Sequence, residues 1–551
     1  VRLSISIFLC SISVFYFTNT ASFANTKIPS SSSSSITRST LPASIAKEVK
    51  ETSEPTIKVG VVQRFGEKVT DQINLKAPSG QKLTLKFKNM EGEKTLVTDQ
   101  VVIKVQMQSL KTPTLRERLV LSSHRSYETA EESANKWREA GIAVEIAQPS
   151  RWKVWAKRDV YKTPLLRRWL KESLTAQGHE NIYLDVEAIK QSVVAYWQIN
   201  GQTYSRHELD ITSSNNIILV NTGKDLKDQH SYAGSLRLQP NAYATYTLVN
   251  IVPLETYLRG VVPHELGAWQ PQATIQSQAI LARTYALRNL RRFQADNYQL
   301  CADPHCQVYK GLDVYPETDR AVANTKNLVL TYEDQLVDAV YYSMSGGVTA
   351  DFNDLWDGSP RPYLKPVVDS AQNIWDLSAR SLADEQNFRK FMAIPKGFNE
   401  DGWLDFRWSE ELTLQGIANV LISYFREKNS PLAKLKKVTS LQITERSPSG
   451  RTLKMIAQTD LGTIELKKDE IQNALWFPLS TLFYLDPIYD QKKVLKGYRM
   501  VGGGFGHGVG FSQTGSVKLG ELGWTSDRIL SFYFPGTKIQ PLLPAMITDH
   551  K

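Results

Sequence analysis

One carboxylate, Glu265, sits in the apolar string Val261-Val262-Pro263-His264-Glu265-Leu266. Apolar neighbours penalise the charged form of a carboxyl group and raise its pKa, which a general acid working near neutrality requires. A partly exposed glutamate capping a helix has the same local sequence. His264-Glu265 also opens the zinc-protease pattern H-E-x-x-H, but Ala268 stands where the second histidine belongs, and that reading fails. Pro271 then starts a long helical pattern with Ile275, Ala279, Ala282, Ala286, Leu290 and Phe293 as its apolar stripe. Gln276 and Arg283 fall two turns apart on another face. An arginine there either holds a substrate oxygen, tunes the carboxylate, or faces solvent.

Cys301, His305 and Cys306 share one short loop. Two readings stay open: three zinc ligands, with Asp296, Asp303 or a distant histidine as the fourth, or a Cys301–Cys306 disulfide. The run Gly502-Gly503-Gly504-Phe505-Gly506-His507-Gly508-Val509-Gly510 lets backbone approach a ligand closely, yet no glycine in it starts a full G-x-G-x-x-G and no P-loop lysine follows. Nucleotide binding is therefore not expected. Ser345-Gly346-Gly347 and Tyr342 read as turn geometry or as ligand contacts, and no serine occupies a G-x-S-x-G elbow.

The elements that must position these residues follow from composition and period. Arg2, an apolar run from Leu3 to Phe17 and Ala21-Ser22-Phe23-Ala24 predict a secretory signal over residues 1–24 and an exported protein of the periplasm or cell wall. No later stretch is apolar enough to span a bilayer. Residues 25–55, with a serine run from Ser30 to Ser35, read as a flexible tether. Alternation over 56–112 predicts strands. Residues 116–187 read as strand, helix, two strands, helix, strand, with Ser126 as N-cap and Gly141 as stop of the first helix, and Thr163-Pro164 and Gly178 bounding the second. This is a ferredoxin-like βαββαβ order and it resembles a SPOR domain, whose members bind glycan strands stripped of stem peptides. Trp152 and Trp155 lie on its presumed sheet, three residues apart, so at most one is a sugar platform. Asn200-Gly201 marks a hairpin, and further strands are expected at Val438–Thr444 and Ile456–Leu466. The fold class is α+β: a mixed, β-rich domain over 190–545 joined to the early strands and interrupted by the insert. Sixty-six Lys and Arg against 56 Asp and Glu is an excess too mild and too dispersed for a nucleic-acid binder.

The ordered blocks Tyr257-Leu258-Arg259-Gly260-Val261-Val262-Pro263-His264-Glu265, Gln278-Ala279 with Ala282-Arg283-Thr284-Tyr285-Ala286-Leu287, His305-Cys306-Gln307-Val308-Tyr309-Lys310-Gly311, Tyr342-Ser343-Met344-Ser345-Gly346-Gly347-Val348-Thr349 and Gly506-His507-Gly508-Val509-Gly510-Phe511-Ser512-Gln513 resemble the SpoIID/LytB family. Phe532-Tyr533-Phe534-Pro535-Gly536-Thr537 closes the set. The resemblance implies a lytic transglycosylase acting on peptidoglycan glycan strands, with Glu265 as the catalytic acid. It implies substrate contacts from Arg283, Gln276, Tyr285, Gln307, Tyr309, Ser345 and His507, and either zinc or a disulfide at Cys301, His305 and Cys306. The chemistry itself requires no cofactor. Leu266-Gly267 stand where the family often has Met-Pro, and Gln276 where it often has lysine. The LytB side of the family implies a second reading, a non-catalytic wall-binding protein that activates a cell-wall amidase.

Overall fold

Strand Thr56–Phe65 buries Ile57 and Val59 on one face and pairs antiparallel with Tyr246–Pro253, the strand that delivers the chain to the helix bearing Glu265. The computed structural model describes residues 54–548, apart from 91, 180, 224–227 and 429; the expected signal and nearly all of the tether lie outside the described residues. These two strands belong to a seven-stranded sheet that Leu300–Cys301, Ser235–Pro240, Leu209–Ser213, Leu83–Asn89 and Gly92–Thr98 complete. The architecture is α+β.

The second sheet is organised around the 25-residue strand Gln100–His124. Its first end buries Val101, Ile103 and Val105, its middle is exposed, and its far end buries Leu119, Val120 and Leu121. A single strand thus crosses between two packed regions. Pro113 sits where the pairing with Tyr183–Ile199 breaks register, between Ser109 and Thr114, because proline offers no N–H to the ladder. The boundary between early strands and insert, expected near 112–116, falls inside this continuous strand. Asn200 and Gly201, both at positive φ, turn Tyr183–Ile199 back onto Gln202–Ser205.

Beyond the bulge the strands run in the order Tyr183–Ile199, Gln100–His124, Trp152–Ala156, Val144–Ala147, every neighbouring pair antiparallel. Helix α1 (Tyr127–Glu139) and helix α2 (Pro164–Ala176) make the two crossovers. The Ser126 side chain caps α1 by accepting from the Thr129 N–H, and Thr163 caps α2 ahead of Pro164. Trp152 and Trp155 do point to opposite faces, but both are buried. Trp152 packs edge-on against Tyr127 of α1 and against Phe293, and Trp155 against Tyr243. Neither is exposed enough to stack on a sugar ring, although Trp152 lies in the wall of a cleft. The Arg292–Glu128 and Arg291–Glu131 ion pairs, together with Arg158 donating to the Ala295 carbonyl, fix this unit to the segment that follows the helix Gln272–Arg288.

A separate apolar core surrounds the helix Leu414–Glu427 and the sheet Val438–Arg446, Thr452–Thr459, Gly462–Lys467. The single strand expected over Ile456–Leu466 is a hairpin turning at Asp460-Leu461, with Gly462 at positive φ closing the turn.

Truncating Trp155 to alanine is expected to cost roughly 3–5 kcal/mol, as for a buried aromatic packed on the neighbouring domain's Tyr243. Equilibrium denaturation of Trp155→Ala measures it; a loss under 1 kcal/mol contradicts the packing described.

Candidate functional site

Helix α3 (Leu254–Leu266) begins directly at the end of strand Tyr246–Pro253 and stops at Gly267, whose φ of 86° suits glycine. Glu265 is its penultimate residue and points into a cleft of about 860 Å³. The companion helix α4 (Gln272–Arg288) is buried almost all round, not on one stripe as its sequence suggests. Helices Gln513–Glu521 and Ser526–Tyr533 cover its polar side, where Thr274 donates to the Ser516 carbonyl at 2.8 Å.

The Glu265 carboxylate accepts from the Val308 backbone N–H at 2.6 Å and from the Tyr341 hydroxyl. A polar chain leads to it: Tyr257 donates its hydroxyl to the Gln307 carbonyl (3.2 Å), and the Gln307 amide donates to the Tyr341 oxygen (3.1 Å). Tyr341 is thereby left with its own proton for Glu265. Burial holds the Tyr341 phenol well above its ordinary pKa, so it stays a donor. Gln513 donates to the Glu265 main-chain carbonyl at 3.1 Å and fixes the end of the helix. Burial lifts the Glu265 carboxyl to about 7, while the Val308, Tyr341 and Gln513 hydrogen bonds pull it back.

His507 is held in one tautomer. Its Nδ1 accepts from the Val509 N–H at 3.1 Å, so Nε2 carries the proton and donates to the Tyr341 carbonyl at 2.9 Å. Burial drops its pKa to about 4, and it is neutral at ordinary pH. The ring is wedged between Tyr342 and Trp356. It positions Tyr341; it does not supply a proton. The parallel pairing of Tyr341–Tyr342 with Phe511–Ser512 brings these distant segments to Glu265.

Other expected contacts sit elsewhere. Arg283 is fully buried and faces away from the cleft, its guanidinium forked onto Glu255 at 2.7 and 2.6 Å and donating to the Leu328 carbonyl. Gln307 and Tyr309 are buried beneath the cleft; the Tyr309 hydroxyl donates to Asn250 at 2.8 Å. Ser345 is buried in a carboxylate cluster, its single hydroxyl proton within hydrogen-bond reach of Asp369 (3.0 Å) and Glu400 (2.9 Å), while Glu400 also accepts from the N–H groups of Ser345 and Gly346. Gly346 and Gly504 approach each other's backbone: a Cβ on Gly504 would lie 2.7 Å from the Gly346 nitrogen. The glycine-rich run therefore packs against its partner loop there, not against a ligand. Gln276 is half-buried on α4 and does not line the cleft. Tyr285 does line it, and its hydroxyl accepts from Arg292.

Cys301 and Cys306 form a disulfide, with Cα atoms 5.6 Å apart. Each sulfur is bonded to the other and is unavailable as a metal ligand, so of the two readings of Cys301, His305 and Cys306 the structure carries the disulfide. Asp303 instead caps the loop, accepting from the His305 N–H at 2.9 Å. The bridge ties the sheet edge at Leu300–Cys301 to the segment whose Val308 N–H holds Glu265, and Pro304, His305 and Cys306 line the cleft. Tyr341, Val308 and Gln513 were not singled out from sequence, although Gln513 closes the block that begins at Gly506, Val308 lies within the block that begins at His305, and Tyr341 directly precedes another.

Residues 242–332, which carry α3, α4 and the disulfide loop, match the family model described as Stage II sporulation protein. The chain is 26% identical over 341 residues to the stage II sporulation protein D of Bacillus subtilis, covering 58% of this chain and 84% of the relative. It is also 26% identical over 358 residues to the amidase enhancer of the same organism, covering 58% of this chain. The chain is thus similar to the SpoIID/LytB family through residues 242–332 and through these two relatives. It spans about half (49%) of the amidase enhancer's length. A third relative, stage II sporulation protein D of Bacillus amyloliquefaciens, is 26% identical over 308 residues, 53% of this chain and 75% of the relative. Residues 350–510 match a second model, described as a domain of unknown function (DUF8618). The cleft thus takes Glu265 from the SpoIID segment and Trp356, Tyr424, Asp469 and His507 from the second. Among the described residues no helix is long and apolar enough to cross a membrane.

Replacing Cys306 with serine is expected to destabilise the fold by about 2 kcal/mol, the chain-entropy value for so short a loop. The intact protein should gain the mass of two hydrogens on reduction. Two thiols freely alkylated without reductant would contradict the bridge.

Proposed function

We propose that this protein is an exported peptidoglycan lytic transglycosylase with Glu265 as general acid and then base. The observation that carries the reading is a carboxyl group lifted to about 7 by burial, oriented by Val308 and Tyr341, at the wall of an open cleft. Protonated Glu265 donates to the oxygen bridging muramic acid and glucosamine. The resulting carboxylate then takes the proton of the muramic acid hydroxymethyl group as that oxygen closes on the anomeric carbon. The bond between the sugars breaks, an anhydro sugar forms, and no water is consumed. One group performs both proton transfers best when its pKa lies near ambient pH. Glu128, another carboxylate of the cleft, is engaged by Arg292 at 2.7 Å.

The amidase-enhancer relative favours a second reading, in which the chain binds the wall and activates an amidase. The two separate cleanly. Stimulation of a cell-wall amidase that survives Glu265→Gln belongs to the second reading alone.

Glu265→Gln should retain the fold and lower anhydro-muramic product from denuded strands by at least a thousandfold, measured by muropeptide chromatography. Product at the parent rate would remove Glu265 from the chemistry.

The pH dependence has a definite sign. The free enzyme needs Glu265 protonated, so kcat/KM should fall as pH rises through about 7. Burial disfavours the ionised form in the folded state, so the stability contribution of this group is full below its unfolded pKa and lost as pH rises toward about 7. Glu265→Gln should therefore be more stable than the parent above pH 7. A flat activity profile from pH 5 to 9 would contradict the assignment.

A further inference from the structure

The loop Ser345-Gly346-Gly347, which takes no part in the chemistry at Glu265, folds onto two fully buried carboxyl groups, Asp369 and Glu400. Among the described residues no cation lies within 4.0 Å of either. Glu400 is well served. It accepts from the N–H groups of Ser345 at 2.6 Å and Gly346 at 2.8 Å, and from the Ser512 hydroxyl at 2.5 Å. Asp369 has fewer donors. Its Oδ1 accepts from the Asn399 amide at 2.8 Å and the Tyr533 hydroxyl at 2.9 Å, and among the described residues its Oδ2 meets only the Ser345 hydroxyl. Asn399 is fixed in that orientation, because its own oxygen accepts from the Ala371 N–H.

Ser345 Oγ lies 3.0 Å from Asp369 Oδ2 and 2.9 Å from Glu400 Oε2, and it accepts from the Gly347 N–H at 2.9 Å. A hydroxyl carries one proton and can donate to only one of the two groups. With both ionised, a hydroxyl lone pair would confront a charged oxygen at hydrogen-bond distance, and two negative charges would be buried without a cation in contact. One added proton resolves the conflict. Asp369 Oδ2–H then donates to Ser345 Oγ, Ser345 donates to Glu400 Oε2, and every oxygen of the three groups has a partner. The proton sits on Asp369, because Glu400 already holds backbone N–H donors that favour its charged form. The other groups facing the pair leave this balance in place. Arg407 donates to the Gly346 carbonyl and Arg451 to those of Ser345 and Val348, while burial keeps Tyr342 and Tyr533 as phenols. Burial, and after it the charge of Glu400, holds the Asp369 carboxyl well above its ordinary range.

We propose that Asp369 is a resident carboxylic acid whose proton locks the Ser345-Gly346-Gly347 loop to the start of the helix Gln513–Glu521. The lock bears on Glu265 from two sides. Tyr341, four residues before Ser345, donates to the Glu265 carboxylate, and Gln513, next to Ser512, donates to the Glu265 main-chain carbonyl. The Thr514 N–H, bonded to the Ser343 carbonyl at 3.0 Å, joins the two segments between these points. Asp369 is thus a positioning residue for Glu265. That role rests on the proposed function, whereas the proton itself does not. An acid that holds its proton more tightly in the folded state contributes stability that is full below its unfolded pKa of about 4 and is lost as pH rises.

The test uses the full chain carrying Glu265→Gln, so that Glu265 does not titrate. From pH 5 to 7 its folding constant should fall about tenfold per pH unit relative to the same chain with Asp369→Asn added, because asparagine supplies the donor without titrating. Hydrogen exchange over residues 343–348 and 511–516 should show the same relative loss of protection. Glu400→Gln should lower the folding constant at least tenfold at pH 7, since its amide NH2, turned either way, would face a backbone N–H. Infrared spectroscopy at pH 7 should find the carbonyl band of a protonated acid, absent after Asp369→Asn. Carbon-13 in the aspartate carboxyls should shift that band and carbon-13 in the glutamate carboxyls should not, a reading that holds even where Asp369→Asn fails to fold. Parallel pH profiles of the two chains would overturn the proposal. So would an acid band that follows the glutamate label or survives Asp369→Asn, or a Glu400→Gln chain as stable as Asp369→Asn. None of these outcomes measures cleavage, so the transglycosylase reading stands or falls separately.

Discussion

Arg283 is fully buried between α3 and α4, two parallel hydrogen bonds joining its guanidinium to the partly exposed Glu255 carboxylate near the start of α3. Water cannot replace that carboxylate at the guanidinium, so removing Glu255 is expected to cost roughly 3–5 kcal/mol. The arginine also donates to the Leu328 carbonyl, so a helix, its neighbour and a strand are locked by one side chain. Arg259 reinforces this with a two-pronged pair to Asp319. The other end of α3 is pinned by Gln513 on the Glu265 carbonyl. A helix held at both ends can present one carboxyl group at a fixed place, and everything in the cleft is built around that place.

The electrostatics of the cleft follow from withholding water, not from supplying charge. His507 is neutral, Tyr257 and Tyr341 stay phenols, and Glu128 is neutralised by Arg292, which also serves Tyr285. In such surroundings the pKa of Glu265 is set by the balance between desolvation and three hydrogen bonds. Another wall of the cleft, from Arg125 to Glu128 and from Ser150 to Trp152, comes from a different part of the chain, the βαββαβ unit.

That part is not an appended module. Its central strand is the far end of Gln100–His124, whose first end pairs with Gln72–Lys76 in the same sheet; Arg292 and Arg291 tie α1 to the segment after α4, and Arg158 reaches that segment at the Ala295 carbonyl. The disulfide works at shorter range, making the loop at 301–306 stiff enough for Val308 to meet Glu265. A cleft walled by three segments of one unit needs ties of this kind, since each segment alone buries too little to hold its wall in place.

Local chemistry was readable in the sequence. Ser126 and Thr163-Pro164 announce α1 and α2 because capping is decided within four residues, and the positive-φ turn at Asn200-Gly201 is equally local. The apolar setting of Glu265 and the ordered blocks pointed to that carboxyl group and to the family model that residues 242–332 match. Directions were not readable. Arg283 reads as a surface or substrate arginine until Glu255, 28 residues away, is seen to face it, and α4 reads as amphipathic until later helices cover its polar side. Tyr341, Val308 and Gln513 reach Glu265 only through a parallel strand pair and a loop closure spanning dozens to hundreds of residues. Cys301 and Cys306 could have been ligands or a bridge, and only the spacing of their Cα atoms in the folded loop decides it. Sequence determines what a side chain can do, because that depends on the residue and its neighbours; what it does here depends on non-local contacts, and those exist only once the chain has folded.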